Sequence, residues 1–131
     1  MLLRIDPAAA APLFEQLAQR VKEAVAAGQL VPGDRLPSVR ELARELAINP
    51  NTVARAYERL ESEDVIVRRQ GAGCFVTERR SQLSARERGR RLTAAMRRLV
   101  TDAYHMGASN DEIAASLAAE LHRLPSPAER R

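Results

Sequence analysis

The sequence predicts a mainly α-helical protein with one small β-hairpin, in which a compact N-terminal domain precedes a two-helix C-terminal segment. Apolar residues recur at helical spacing in three stretches before the hairpin and in two stretches after it. Two short β-rich runs flank a glycine-bearing turn. The composition then changes to Arg, Ala and Leu, so we expect a domain at residues 1–78 and a helical segment at residues 79–131.

Length and composition restrict the class of protein. The 131 residues are 45% apolar but only 3% aromatic, which fits a small helical core of Leu, Val, Ile and Ala. Cys74 is the single cysteine, which excludes an internal disulfide and a zinc finger and suits a reducing cytoplasm. No apolar run approaches the roughly 20 residues of a membrane span, and the N-terminus lacks signal-peptide features. We expect a soluble cytoplasmic protein with no membrane contact.

The charge is distributed unevenly. The net charge of +4 suggests a nucleic-acid partner. However, residues 1–78 hold ten basic and eleven acidic residues, whereas residues 79–131 hold eleven basic and six acidic ones. Bulk charge therefore does not mark the N-terminal domain as a nucleic-acid binder, and any such role must depend on where individual charges lie.

The first predicted helix runs from Pro12 to about Ala27, and Gly28 ends it. Its apolar stripe consists of Phe14, Leu17, Val21 and Val25. The segment before it, residues 2–6, is expected to form a short strand. The segment after it, residues 30–37, contains two prolines and is expected to be a turn-rich connector.

Two further helices follow almost without a break. Ser38 and Glu41 have the spacing of a capping box, in which each side chain satisfies the other's backbone N–H. The stripe of this second helix is Val39, Leu42, Ala43 and Leu46. Asn49 followed by Pro50 predicts the start of a third helix. Its buried side is Val53, Ala56, Tyr57 and Leu60.

The two β-rich runs, residues 65–69 and 74–77, form the predicted hairpin with residues 70–73 at its tip. Three helices followed by such a hairpin are typical of a winged helix-turn-helix. In that fold the third helix enters the major groove of DNA, and the hairpin is the wing.

The outer half of the third helix carries Asn51, Thr52, Arg55 and Arg59. Asn can pair with adenine, Arg with guanine, and Thr can use its hydroxyl or methyl group. The N–H groups at the helix start also suit a backbone phosphate. An ordinary solvated face with capping asparagines is the alternative for an isolated helix, and the neighbouring helix and hairpin favour DNA contact.

Further contacts are expected from the neighbouring elements. Arg40 lies near the start of the second helix and is favoured over Arg44 as a phosphate contact. At the wing, Gly71 lets the backbone approach a groove closely. The full set of predicted DNA-contact residues is Ser38, Arg40, Asn49, Asn51, Thr52, Arg55, Arg69, Gln70 and Gly71.

The two C-terminal helices carry apolar stripes that they cannot bury well alone. We expect them to pair with a second copy of the chain, although packing of the tail onto the first helix is the alternative. The predicted dimerisation residues are Leu92, Met96, Leu99, Val100, Ala103, Ile113, Leu117 and Leu121. The arginines near the start of the longer helix either extend the phosphate contacts or form a solvated face. The end after Leu124 is expected to be frayed.

No catalytic or cofactor site is expected. The sequence has no nucleophile–base set, paired carboxylates or phosphate loop, so we predict that the protein is not an enzyme. His105 and His122 have no obvious third metal ligand, and Cys74 is interpreted as a small core residue. We therefore expect no metal and no cofactor.

Three separated stretches together resemble the GntR family of bacterial transcription regulators. They are PGDRLPSVRELA at 32–43, NPNTVARAY at 49–57 and GAGCFV at 71–76. The NPNTV variant and the short C-terminal part are similar to its YtrA subfamily. The resemblance implies a dimer on operator DNA, with contacts from Arg40, Asn51, Thr52 and the wing at Gly71.

The chain also departs from the family pattern. Pro50 stands where larger branches often carry a base-reading arginine, so that contact is not transferred. Ala47 and Asp64 replace common glycines. The C-terminal part is also too short for the effector domain of the larger branches.

Taken with the residues themselves, the resemblance predicts a homodimeric, sequence-specific DNA-binding transcription regulator, a repressor acting on a pseudo-palindromic operator. A winged-helix protein-interaction module that does not bind DNA is the alternative function. Neither the residues nor the resemblance identifies a small-molecule effector.

Overall fold

The computed structural model describes residues 3–78 and 83–124. The first of two compact units contains three helices and a hairpin, and the second contains the last two helices. The elements are α1 Leu13–Ala26, α2 Val39–Leu46, α3 Pro50–Ser62, β1 Ile66–Arg69, β2 Gly73–Val76, α4 Ala85–His105 and α5 Asn110–Arg123. The predicted fold class, a winged helix-turn-helix followed by C-terminal helices, is confirmed.

Helix α3 lies at the centre of the first unit and packs against both α1 and α2. Its inward residues Val53 and Leu60 are fully buried. The predicted stripes supply most of the core, which is completed by the connector and the hairpin. Large core side chains are Phe14, Leu17, Val21, Leu36, Leu42, Tyr57, Ile66 and Val76. Burying an aliphatic side chain of this size contributes about 1.5–3 kcal/mol, so this packing fixes the orientation of α3.

The predicted caps set the starts of α2 and α3. The Ser38 hydroxyl accepts a hydrogen bond from the Glu41 N–H at 3.1 Å, and the Asn49 side-chain oxygen accepts one from the Asn51 N–H at 2.8 Å. The predicted capping box at Ser38 and Glu41 is only half formed. The Ser38 hydroxyl accepts from the Glu41 N–H, but within the described structure the Ser38 N–H does not donate to the Glu41 carboxylate. An exposed carboxylate gains little by exchanging water for such a bond.

Left-handed residues end α2 and α3. Ala47 has φ 56° and Asp64 has φ 59°. Each turn closes in the same way: the Ile48 N–H donates to the Ala43 carbonyl at 3.0 Å, and the Val65 N–H donates to the Leu60 carbonyl at 2.9 Å. This is the Schellman pattern, in which glycine is the usual left-handed residue. The turns therefore survive the two replacements of glycine noted in the sequence.

Ala47→Gly should raise the free energy of unfolding by about 1 kcal/mol, because glycine adopts a left-handed backbone without the steric penalty of a Cβ. Ala54→Gly, in the interior of α3, is the matched control and should lower it by about 1 kcal/mol. Urea denaturation of both variants and the parent chain measures the difference. A loss of stability at both positions would contradict the assignment of strain to Ala47.

The connector between α1 and α2 extends the wing sheet. The two strands are antiparallel, with Ile66 opposite Val76. On the other side of β2, the Leu36 N–H donates to the Cys74 carbonyl and the Val76 N–H donates to the Asp34 carbonyl, both at 2.8 Å. The prediction of a plain turn-rich connector was therefore incomplete, because its two prolines obscured a pairing that is made with a distant strand.

The N-terminal segment is not a strand. Residues 3–6 have no strand structure, and Leu3 instead joins the core at 9% exposure. The Asp6 N–H donates to the Gln16 side-chain oxygen at 2.7 Å, which ties the segment to α1. The prediction of a strand at residues 2–6 was wrong over the described part, because side-chain contacts with α1 hold the segment instead of a neighbouring strand.

In the second unit, α4 and α5 begin at serine caps. The Ser84 hydroxyl accepts from the Glu87 N–H, and the Ser109 hydroxyl accepts from the Glu112 N–H, each at 3.1 Å. A left-handed Gly107 lies between the two helices. None of the described helices is both long and apolar enough to cross a membrane.

Candidate nucleic-acid interface

A hydrogen bond from α3 fixes the position of the α2 start. The Tyr57 hydroxyl donates to the Pro37 carbonyl at 2.7 Å, and Pro37 directly precedes the cap of α2. Burial raises the pKa of Tyr57, with smaller contributions from Cys74, Glu41 and Glu45. Tyr57 therefore remains a donor over the physiological pH range. The sequence pattern identified Tyr57 only as a core residue. Its hydroxyl was the sequence signal for this hydrogen bond, because a buried tyrosine hydroxyl needs a partner.

The raised pKa of Tyr57 predicts a loss of stability in alkali. Below the ordinary tyrosine pKa of about 10, the Tyr57 hydroxyl is neutral in the folded and in the unfolded chain. Above that pH, only the hydroxyl of the unfolded chain ionises readily. Stability should therefore fall as the pH rises beyond about 10. Tyr57→Phe should lower stability near pH 8 by about 1 kcal/mol and should flatten the alkaline loss. Denaturation at pH 8 and pH 11 measures both effects. Tyr104→Phe, at a residue that is 76% exposed, is the control and should leave stability at pH 8 unchanged.

The start of α2 presents a free cation and free N–H groups. Arg40 is exposed and forms no ion pair with any described residue. Within the described chain, the backbone N–H groups of Val39 and Arg40 have no acceptor. Since the helix dipole also favours an anion at this end, the start of α2 suits a backbone phosphate. Arg44 is exposed one turn later.

The start of α3 has already used its N–H groups. Pro50 has none, the Asn51 N–H donates to the Asn49 side chain, and the Thr52 N–H donates to the Asn49 carbonyl at 2.9 Å. The expected phosphate site at this helix start was therefore wrong, because capping by Asn49 occupies the donors. Asn49 itself acts as a cap.

The side chains at the start of α3 remain available for contact. Asn51 is exposed, and its side-chain amide has no hydrogen bond to any described residue. Thr52 is half-buried beside it. A free amide presents an NH2 donor group beside a carbonyl acceptor, which is the pattern that pairs with an adenine edge.

The two arginines of α3 lie toward α1. The Arg55 guanidinium carbon is 3.8 Å from the centroid of the Phe14 ring. Arg59 is 5.4 Å from the same ring and 3.9 Å from a carboxylate oxygen of Glu15. The sequence placed Arg55 on the outer face, and the structure adds an aromatic support from α1. The only sequence signal for this contact was the presence of an aromatic residue, Phe14, in the first turn of α1.

The wing presents its tip to solvent. Gln70 and Gly71 are exposed, and Gly71 has φ 77° with no atom near the position of a Cβ. Its backbone angle, rather than a close neighbour, therefore favours glycine there. Arg69 lies 4.6 Å from the Phe75 ring centroid and 3.9 Å from Glu78.

Sequence reasoning missed Arg35 in the connector. Its Nε donates to the Ala72 carbonyl at 3.2 Å, and its side chain lies against Gly73. Arg35 therefore holds the wing tip through its contacts with Ala72 and Gly73. Only the pairing of the connector with β2 brings it there, so no local signal could identify it.

Most of the predicted dimerisation residues are exposed in the single chain. Leu92, Met96, Leu99, Val100, Leu117 and Leu121 are 36–65% exposed. Ala103 is 7% exposed and Ile113 is half-buried, so these two are already largely covered. The helical spacing of apolar residues predicts all eight as contacts with a second copy. That spacing does not show which of them the chain covers itself.

The arginine-rich start of α4 is only partly paired. Arg90 and Arg91 form ion pairs with Glu87, whereas Arg86 and Arg88 pair with no described residue. Phosphate contact and a solvated face both stay predictions for this region. Among the described residues, no group of His, Cys, Asp and Glu could hold a metal ion.

Comparison with known proteins identifies the first unit. The profile of "Bacterial regulatory proteins, gntR family" matches residues 13–76, which span α1 to β2. The chain is 35% identical over 112 residues to the HTH-type transcriptional repressor YtrA of Bacillus subtilis, covering 86% of each chain.

Two solved structures extend the similarity to most of the chain. A transcriptional antiterminator from Listeria monocytogenes superposes with a TM-score of 0.80 at 31% identity, over 93% of this chain and 90% of that one. YtrA from Sulfolobus acidocaldarius, a GntR-family transcription factor, gives a TM-score of 0.61 at 35% identity, over 76% and 99%. The chain therefore belongs to the GntR family of bacterial regulatory proteins and is a DNA-binding transcription regulator of the YtrA type.

Proposed function

We propose that the chain acts in the bacterial cytoplasm as a homodimeric repressor that binds a pseudo-palindromic operator. The observation that carries the operator contact is the pair of polar groups at neighbouring helix starts, Arg40 and Asn51. Both are exposed, and neither side chain has a partner among the described residues. The repressor role is supported by the printed function of the Bacillus subtilis relative.

The contacts divide into positioning and reading. Arg40 and the free N–H groups at the α2 start hold a phosphate and set the register of the protein on the duplex. Asn51 and Thr52 reach base edges in the major groove. The remaining proposed contacts, at the helix starts, on α3 and on the wing, are Ser38, Asn49, Arg55, Arg69, Gln70 and Gly71.

The C-terminal helices supply the dimer. Leu92, Met96, Leu99, Ala103 and Met106 follow one another at alternating spacings of four and three, which is the pattern of a helix-pairing seam. The exposed members of this seam would be buried by a second copy. A two-fold dimer then presents two α3 helices to half-sites about one helical turn, or a multiple of it, apart. On this proposal, residues 1–78 bind DNA and residues 79–131 dimerise.

Occupation of the operator would repress transcription by excluding RNA polymerase from the overlapping promoter. This mechanism needs only tight, specific binding, and no cofactor enters it. A small-molecule effector is not assigned.

The test is selection of bound sequences from a random DNA pool, followed by fluorescence anisotropy with the selected site. We expect an inverted repeat that binds one dimer at least about 10³-fold more tightly than scrambled DNA. Affinity should also fall steeply with salt, because phosphate contacts release counterions. Failure to enrich any sequence, together with a flat salt response, would favour the protein-interaction module.

A further inference from the structure

The stack between Arg55 and Phe14 joins α3 to α1 beside the proposed recognition surface. The guanidinium carbon lies 3.8 Å from the ring centroid, which is close contact between two planar groups. Phe14 is only 8% exposed and belongs to the core cluster, so its ring cannot move freely. The charged group of Arg55 therefore rests on a rigid support.

The stack leaves the donors of Arg55 unused. A guanidinium directs its five N–H groups outward in its own plane, whereas ring stacking uses only its face. Arg55 donates to no described residue and has no ion-pair partner among them. By contrast, Arg59 is 5.4 Å from the ring and lies 3.9 Å from a Glu15 oxygen.

An unused donor fork on a fixed support is suited to binding. A flexible arginine must be ordered when it binds, and a stacked one has been ordered in advance, so less affinity is lost. The planar fork matches two acceptors in one plane, which guanine O6 and N7 or two phosphate oxygens can supply. Since Arg55 lies one turn after Asn51, such acceptors on a duplex come within its reach.

We propose that Phe14 is a positioning residue for DNA recognition, whose ring holds Arg55 with its donors free for a planar pair of acceptors on the DNA. This inference rests on the proposed function, because it requires α3 to contact the operator. It adds a residue of α1, outside the helix-turn-helix itself, to the determinants of affinity.

The experiment uses the full chain, the selected operator and scrambled DNA. Arg55→Ala should weaken operator binding by about 10–100-fold. Phe14→Leu keeps an apolar side chain but removes the ring, and it should weaken binding about threefold. Phe14→Tyr keeps the ring and should bind like the parent chain. The double variant Phe14→Leu/Arg55→Ala should bind no more weakly than Arg55→Ala alone.

Two controls separate positioning from folding. Circular-dichroism melts must show each variant folded at the assay temperature, and rescue by Phe14→Tyr shows that the ring itself matters. Arg59→Ala alters the same helix one turn further on, at a residue that Glu15 already engages. It should leave operator affinity unchanged.

The two sources of acceptor give different results, and both support the proposal. If the acceptor is guanine, Arg55→Ala weakens operator binding only and relaxes the preference at one base pair. If it is phosphate, Arg55→Ala weakens binding to operator and to scrambled DNA equally. The slope of log affinity against log salt concentration then falls by about one.

Two results would overturn the inference. One is unchanged operator affinity in Arg55→Ala when Asn51→Ala still weakens binding. The other is a full additional loss from Phe14→Leu in the Arg55→Ala background, which would indicate a purely structural ring. Both leave the proposed function intact, whereas a parent chain that prefers no DNA sequence would remove the proposed function itself.

Discussion

Leu99→Asp should convert the proposed dimer to a monomer and weaken binding to an inverted-repeat operator by about 100-fold or more. Leu99 is 46% exposed and lies on the α4 seam with Leu92 and Met96. A carboxylate at this position would have to be buried, unpaired, between two copies. Because Leu99 is not buried in the single chain, the protomer itself should remain folded.

Ala94→Asp is the matched control for this prediction. It adds the same charge to the same helix, on the side opposite the seam, at another exposed residue. We expect it to remain dimeric and to bind the operator like the parent chain. Sedimentation velocity measures the assembly, and anisotropy measures the affinity.

An isolated half-site provides a further arm of the same experiment. The Leu99→Asp monomer should bind a half-site as well as one protomer of the parent dimer does, because its recognition surface is unaltered. A Leu99→Asp protein that stays dimeric would disprove the role of the α4 seam. Loss of the dimer in both Leu99→Asp and Ala94→Asp would show that the added charge, and not its position, caused the effect.

Asn51→Ala should weaken specific operator binding by about 1–3 kcal/mol, because it removes a free amide that can pair with an adenine edge. The cost to folding should be small. The Asn51 side chain has no hydrogen bond among the described residues, and the cap of α3 uses only its backbone N–H. Anisotropy with operator and scrambled DNA should therefore show lost discrimination with unchanged nonspecific affinity.

Ser62→Ala is the positional control for Asn51. Ser62 is exposed on nearly the same side of α3, but it lies about 16 Å further along the helix axis. Since the N-terminal turns of a recognition helix reach the bases, we expect no effect on affinity. Equal losses from both substitutions, or no loss from Asn51→Ala, would reject the assignment of the reading end.

Arg40 illustrates how far the sequence could locate the site. Helical spacing and the cap at Ser38 predicted that Arg40 lies at the start of α2, and the structure places it there, exposed. The same local reasoning predicted phosphate-binding N–H groups on α3. That expectation conflicted with the cap predicted at Asn49, and in the structure the Asn49 side-chain oxygen accepts from the Asn51 N–H.

The sequence alone therefore determined where the five helices and the hairpin form, because caps, apolar spacing and turn residues act within a few positions of the chain. The hairpin and both C-terminal helices follow from such local signals, whereas alanine at position 47 gives no local signal for the left-handed backbone found there. The tertiary structure alone decided the contacts between distant segments. Arg55 rests on Phe14, and Tyr57 donates to Pro37. Packing within the first unit creates these contacts, so the sequence shows the residue types involved but not which residues pair.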